Sequence, residues 1–254
     1  PHLLEEHARS HREGADVVLG HIPLHPDSPP GLLNTGVKSW AEKRAKRLSA
    51  PGATLTLHDL LTGQISLRRA IFQAIGGFDT AFTQGGSFGN EDVDFGYRLL
   101  HEGYKIVFNP HAISWQYYVV QPRHYLRQWR QAGQADVVFA RKHPDQANAI
   151  FAQNKAQQWT NRYLWRPLAT LPVLANLLIA CLRWLVVSRV ERGAEDGLTA
   201  RLFYELKAAE YWRGVHEAGG LPAQNALRVL AYHAIRDLAG EPILEPYGMP
   251  PALF

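Results

Sequence analysis

The sequence predicts an α/β layered domain followed by a mostly helical C-terminal part. Between residues 1 and 121, short apolar runs rich in β-branched residues alternate with segments of helical periodicity. From about Pro122 onward the helical pattern takes over. Hydrophobic residues make up 46% of the 254 and charged residues 20%, enough apolar content to bury a core and too much for a disordered or acidic solvating chain. The single cysteine, Cys181, excludes an internal disulfide and a cysteine metal cluster. A net charge of +4 suits work beside anionic surfaces or phosphates and is too small to argue for nucleic acid.

Each element follows from local pattern. Leu3, Leu4, Ala8 and Arg12 recur at helical spacing over residues 1–13, with Gly14 as C-cap. The run Ala15-Asp16-Val17-Val18-Leu19-Gly20 reads as a buried strand. Four prolines and two glycines make residues 22–36 a loop, and residues 37–49 form a basic helix carrying Trp40 and Ala45. A solvated face accounts for that helix; a face that meets an anionic membrane or an acceptor phosphate is the alternative. Residues 54–57 alternate like a strand, residues 67–74 are helical, and Gly76-Gly77-Phe78-Asp79 is a break.

A second glycine-rich loop, residues 85–89, runs into Asn90-Glu91-Asp92-Val93-Asp94. Val93, Tyr97 and Leu100 then repeat at helical spacing, with Asn90 as N-cap and the acids in the first turn. Gly103 ends that helix, and residues 104–108 are a strand stopped by Asn109-Pro110. Residues 123–142 are helical, and His143-Pro144-Asp145 breaks them. The most apolar stretch, residues 164–187, contains Arg166, Pro167, Pro172, Asn176 and Arg183. Its charge-free run falls short of the roughly twenty residues a membrane span needs, so a buried or interfacial helix pair is predicted. Residues 198–218 are amphipathic, Gly219-Gly220 and Pro222 end them, and a last helix lies near residues 223–239.

Chemistry concentrates at Glu91-Asp92. Two adjacent acids at a helix N-terminus are stabilised as anions and leave a base available near neutral pH, although such pairs more often cap a helix or face solvent. Their surroundings narrow the choice. Four segments, Thr62-Gly63-Gln64-Ile65-Ser66-Leu67-Arg68-Arg69, Gly76-Gly77-Phe78-Asp79, Glu91-Asp92-Val93-Asp94-Phe95-Gly96-Tyr97-Arg98-Leu99 and Gly103-Tyr104-Lys105-Ile106, stand in order along the chain. Together they resemble the second half of a family-2 glycosyltransferase of the GT-A fold. The likeness covers residues 1–145 well and 146–254 loosely. Family-7 galactosyltransferases share a similar pattern, but usually carry a tryptophan-glycine pair where Gly86-Ser87-Phe88-Gly89-Asn90 stands here.

The resemblance implies a partial GT-A (Rossmann-like) catalytic domain at residues 1–121, bearing the acceptor side, and a helical, membrane-associated extension at residues 122–254. It implies an inverting transferase that moves a sugar from a nucleotide-diphosphate sugar to a glycan or lipid-linked acceptor in cell-surface polysaccharide synthesis. Asp92 is then the general base, and Glu91 orients the site or acceptor. Gly63, Gln64, Gly76, Gly77, Phe78 and Asp79 line the acceptor side and the sugar pocket, while Asp94 and Arg98 pair along the helix as structure. The setting implied is the cytoplasmic face of the membrane, with peripheral contact and no nucleic acid.

The resemblance also implies a divalent metal, Mg or Mn, on the diphosphate. The family's Asp-x-Asp motif is not found before residue 20, and the one such pattern is Asp92-Val93-Asp94 itself. Where many relatives place a histidine after the strand, Gln116 stands here, with His111 and His124 nearby as alternatives; no ligand is nominated. Pro1 opens the chain and Met249 is its sole methionine. The expectation is therefore a piece of a longer protein whose donor-binding half and metal ligands lie mostly elsewhere, inactive by itself. A non-catalytic saccharide-binding or structural protein on the same fold is the competing reading.

Overall fold

The computed structural model describes residues 2–83, 89–153 and 158–221. All of these but Leu221 belong to one compact unit. Its sheet is small and mixed, with strand order β2-β1-β3. The central strand β1 (Val17–His21) pairs antiparallel with β2 (Ile65–Leu67) and parallel with β3 (Ile106–Ile113). Val17, Val18 and Leu19 are fully buried, which is why this strand reads as an unbroken apolar run and not as an alternation. On one side of the sheet α3 (Arg69–Ala74) and α4 (Glu91–His101) close a core of Val17, Ile71, Phe95 and Leu99. The first helix, α1 (Leu3–Arg12), is tied to β3, because the Asn109 amide donates to the Glu6 carbonyl and to Ser10 Oγ.

Several boundaries differ from the sequence reading, each for a local reason. The loop predicted to reach residue 36 ends earlier, since α2 spans Leu32–Leu48; all four prolines precede Gly31, and Gly36 sits inside the helix where Tyr204 packs close. No strand forms at residues 54–57. Instead Asp59 accepts the amide and hydroxyl of Thr56, closing a capping box on a 3₁₀ turn at Leu57–Asp59. Such side-chain-to-backbone bonds compete with a sheet ladder. Leu67, predicted to open a helix, instead ends strand β2, and the helix begins at Arg69. The strand predicted to stop at Asn109-Pro110 continues to Ile113, because β3 is an edge strand and the missing proline N–H leaves no ladder bond unmade. The basic helix is only partly a solvated face: Arg44 and Arg47 both pair with the buried Asp59.

Beyond β3 the chain is helical: α5 (Pro122–Lys142), α6 (Ala147–Gln153), a π-helical turn at Asn161–Trp165, α7 (Arg166–Ala169), α8 (Pro172–Glu191) and α9 (Gly197–Glu217). The apolar stretch at 164–187 thus becomes two helices broken before Pro172. The helix predicted near 223–239 and most of the glycine loop at 85–89 lie outside the described residues. Helices α5 and α9 touch backbone to backbone. A Cβ on Gly214 would stand 1.9 Å from the Arg130 carbonyl oxygen, and one on Gly133 would stand 2.2 Å from that of Tyr211. Neither gap can be relieved by a rotamer change. Gly214→Ala is therefore expected to destabilise the fold by at least about 2–3 kcal/mol, seen as a drop of several degrees in thermal midpoint, whereas Gly31→Ala, which meets no neighbouring atoms, is limited to backbone strain at φ 144°.

Candidate functional site

The acid pair sits at the start of α4, behind Gly89 and Asn90. Asn90 occupies the N-cap position but does not cap. It adopts a left-handed conformation (φ 70°, ψ 2°), which costs a non-glycine residue on the order of 1 kcal/mol, and its side chain leaves its own helix. Its carbonyl still accepts the first helical bond, from the Asp94 amide at 2.9 Å.

Three carboxylates follow within four residues, and their surroundings separate them. Asp92 Oδ1 accepts only the amide of Val93 among side-chain hydrogen bonds of the described residues, at 2.8 Å. Burial and the neighbouring Glu91 charge push its carboxyl up from 3.8 to about 6, against the lowering expected from the helix terminus. Glu91 Oε2 is buried and has no hydrogen-bond partner among the described residues. Asp94 is fully buried and faces the other way. Burial by itself would raise it, but hydrogen bonds from His143 and Lys142 and the Arg98 charge outweigh that and hold it below its usual range. His143 Nε2 and Lys142 Nζ each stand 2.7 Å from Asp94 Oδ1, and Arg98 Nε donates to Oδ2 at 2.9 Å.

Arg98 carries the arrangement to the glycine turn. Its guanidinium donates to the carbonyls of Ile75 and Gly77, the latter at 2.7 Å. Gly76 and Gly77 have φ of +79° and +64°, a conformation that glycine adopts without strain. Phe78 follows, 42% exposed, with its ring 4.7 Å from Phe95 and 5.7 Å from Phe72. Asp79 is engaged twice: it accepts the Ala81 amide at 2.9 Å and the Lys142 ammonium at 2.8 Å, and the Lys142 bond foremost lowers its pKa. Gly76, Gly77, Phe78 and Asp79 are thereby joined to Glu91 and Asp92 through α4.

Gly63 and Gln64 are held elsewhere, against the end of β1. Gln64 Nε2 donates to the Ala112 carbonyl at 3.0 Å, and its buried Oε1 lacks a partner; a Cβ on Gly20 would lie 2.2 Å from that oxygen, so only glycine admits it. Among the described residues no hydrogen bond or ion pair links Gln64 to α4. Residues that sequence reasoning did not single out complete the site. Lys142 and His143 stand at a predicted helix break, and Asp136 on α5 accepts the Asn90 amide at 2.8 Å. A lone aspartate amid Ala135, Val137 and Val138 was the available signal for Asp136.

A divalent-cation site does not emerge from these side chains. Among the described residues no three His, Cys, Asp or Glu groups converge as donors. The Asp92-Val93-Asp94 pattern does not make a pair of ligands, because Asp94 is saturated by three basic groups. Gln116 is fixed through its backbone, bonding to Pro23 and His25; His124 shares Nδ1 with Arg127.

The described residues thus form a mixed α/β domain with a partly buried acid pair at a helix start and a glycine turn fixed to the same helix through Arg98. The family model described as Glycosyl transferase family group 2 matches residues 45–204, more than half of the chain and reaching from α2 into α9. The chain belongs to the family-2 glycosyltransferases, whose general activity is glycosyl transfer from nucleotide-sugar donors to glycan acceptors and which commonly use a divalent metal. No curated protein and no solved structure matches the chain significantly.

The Asp92 environment has a consequence for stability. Its folded pKa of about 6 exceeds the ordinary 3.8, so the folded state holds the proton more tightly and ionisation penalises folding from about pH 4, in full above about pH 6. Asp92→Asn is expected to raise stability at pH 7.5 by up to about 3 kcal/mol, with the gain vanishing below pH 4 in thermal melts taken across that range.

Proposed function

We propose that the protein is an inverting transferase of the GT-A fold that moves a sugar from a nucleotide-diphosphate sugar to a glycan or lipid-linked acceptor, with Asp92 as general base. An alcohol is a weak nucleophile, so inversion requires a base on the face opposite the departing nucleoside diphosphate. The observation that carries this reading is the Asp92 carboxylate at the start of α4, partly buried beside Glu91 and with a pKa of about 6. Such a group is largely ionised at neutral pH yet basic enough to receive a proton in the transition state. It takes the hydroxyl proton as the acceptor oxygen bonds to the anomeric carbon; the bond from that carbon to the diphosphate breaks, and the diphosphate leaves with the electron pair.

Glu91, with one carboxylate oxygen buried and unpaired, is the acceptor-orienting group. Gly76, Gly77 and the half-exposed Phe78 offer an apolar, closely approachable wall on the acceptor side. Gly63 and Gln64 serve the sugar pocket from the β1 side, where Gln64 is anchored on the Ala112 carbonyl. Asp79 contributes by holding Lys142. The Mg or Mn common to the family would be bound mostly by groups other than those described here. Residues 1–121 carry acceptor binding and the base, and residues 122–254 are the extension.

The location we propose, peripheral at the cytoplasmic face of a membrane, rests on that extension. Helix α8 is long and apolar enough to cross a bilayer, with mean hydropathy 1.8, yet only 22% of it is buried. Val173, Leu174, Leu177, Trp184 and Leu185 are exposed, while Arg183 reaches back to the buried Glu210 of α9 and Arg189 to Asp196. In this reading the tethered helix lies along an interface, with its two arginines held by acids of the protein, Trp184 at headgroup level and the exposed leucines and Val173 toward lipid.

Asp92→Asn is expected to lower kcat for transfer by about 10²–10⁴ with little change in donor binding. Glu91→Gln should move the acid limb of the pH–rate profile below 6, because it removes a charge that raises Asp92. Full transfer by Asp92→Asn would overturn Asp92 as the base, whereas sugar binding without transfer by the unsubstituted protein would leave a saccharide-binding or structural protein. In flotation with phosphatidylglycerol vesicles the protein should rise with the lipid. The Leu177→Glu, Trp184→Glu variant should stay behind with its melting point and its transfer to a soluble acceptor unchanged.

A further inference from the structure

We propose that Asp136 and Tyr211 are positioning residues that aim the Glu91–Asp92 pair by fixing the backbone at Asn90. This rests on the reading of Asp92 as the base. Among the described residues Asn90 is the one non-glycine with positive φ, and it immediately precedes the acids. An asparagine at an N-cap ordinarily turns its side chain onto the first-turn amides of its own helix. Here the amide points the other way, donating at 2.8 Å to Asp136 Oδ1 on α5. The second Asp136 oxygen accepts the Tyr211 hydroxyl from α9. Asp136 is 4% and Tyr211 1% exposed, so both bonds form in a medium where an unmade one is expensive.

The preceding residue is held from the same side. Gly89 (φ 119°) has its Cα turned to α5, where an added Cβ would touch Ala135 at 3.4 Å and the Ala132 backbone at 4.0 Å. Two consecutive positive-φ residues reverse the chain just before α4, and one of the two is pinned by a side chain. The direction in which Glu91 and Asp92 leave this turn therefore depends on where Asp136 stands, and Asp136 in turn is set by the α5–α9 crossing at Gly133 and Gly214 that delivers Tyr211. Neither Asp136 nor Tyr211 touches the reacting atoms in this scheme. Both act through Asn90.

The test is transfer kinetics against pH for Tyr211→Phe, Asp136→Asn and Asn90→Gly, with Asp92→Asn alongside. Tyr211→Phe removes one hydroxyl and leaves the ring packing in place; Asn90→Gly keeps the left-handed backbone but cuts the tether. Expected is a 10–100-fold loss of kcat with donor KM within about twofold. The acid limb should move to lower pH as Asp92 loses burial, and the Asn90→Gly, Tyr211→Phe double variant should be no worse than about the weaker single. A purely structural role predicts otherwise: a lower melting point with kcat and acid limb unchanged in folded Tyr211→Phe. That result overturns the proposal. Should Asp136→Asn not fold, the other two variants decide. If Asp92→Asn retains full transfer, the base reading itself fails and this inference with it. If Asp92→Asn is inactive and Tyr211→Phe is not impaired, only the positioning role is lost.

Discussion

One fully buried carboxylate organises this protein. Asp94, in the first turn of α4, collects Arg98 from its own helix and Lys142 and His143 from the end of α5. A buried charge without such partners is costly, so its presence demands that all three arrive together. Through Arg98 it fixes the Gly76-Gly77 turn, through Lys142 it reaches Asp79, and through His143 it docks the break after α5, where the Tyr97 ring packs at a tilt against the imidazole and its hydroxyl donates to Asp145. The second tether, Asp136 to Asn90, lies about 10 Å back along α5. Helix α4 is thus clamped at two points across two helical turns, and the acid pair lies within that clamp.

The same stretch of helix holds carboxylates in opposite states. Asp94 is embraced by cations and ionises easily; Asp92, two residues away, is partly buried beside another acid and resists ionisation. Two positions along a helix diverge by about 200°, so Asp94 turns to the basic end of α5 while Asp92 lies on nearly the opposite side. A structural acid and a base of the kind proposed for transfer can therefore share one turn. This division also explains why an Asp-x-Asp pattern there does not bind a cation with both members.

Much of this was readable from residues. The central strand, α1, α4, α5 and α9 follow their periodicity, and the motif order from Thr62 to Ile106 pointed to the family that the chain belongs to. The failures have a common cause. Residues 54–57 look like a strand, but Asp59 captures Thr56 locally; Pro110 looks like a stop, but an edge strand tolerates it; Asn90 looks like a cap, but Asp136 takes its side chain. In each case a specific side-chain bond or a place in the sheet overrode the local pattern: Asp59 acts from three residues away, Asp136 from 46, and Pro110 is decided by the sheet. The site was legible as a set of residue types. Its braces were not, because Lys142, His143, Asp136 and Tyr211 sit 46 or more positions from the groups they hold.

That separation also has a temporal side. The glycine-backed crossing of α5 and α9 is what brings Tyr211 to Asp136, and Tyr211 leaves the ribosome about 120 residues after the acid pair, roughly 6–24 s at ordinary elongation rates. During that interval Glu91 and Asp92 are already made, but the turn before them has no finished support. Support for the turn before the two acids is thus deferred until α9 has been made. Until α9 closes, the nascent chain carries them as ordinary, solvated carboxylates.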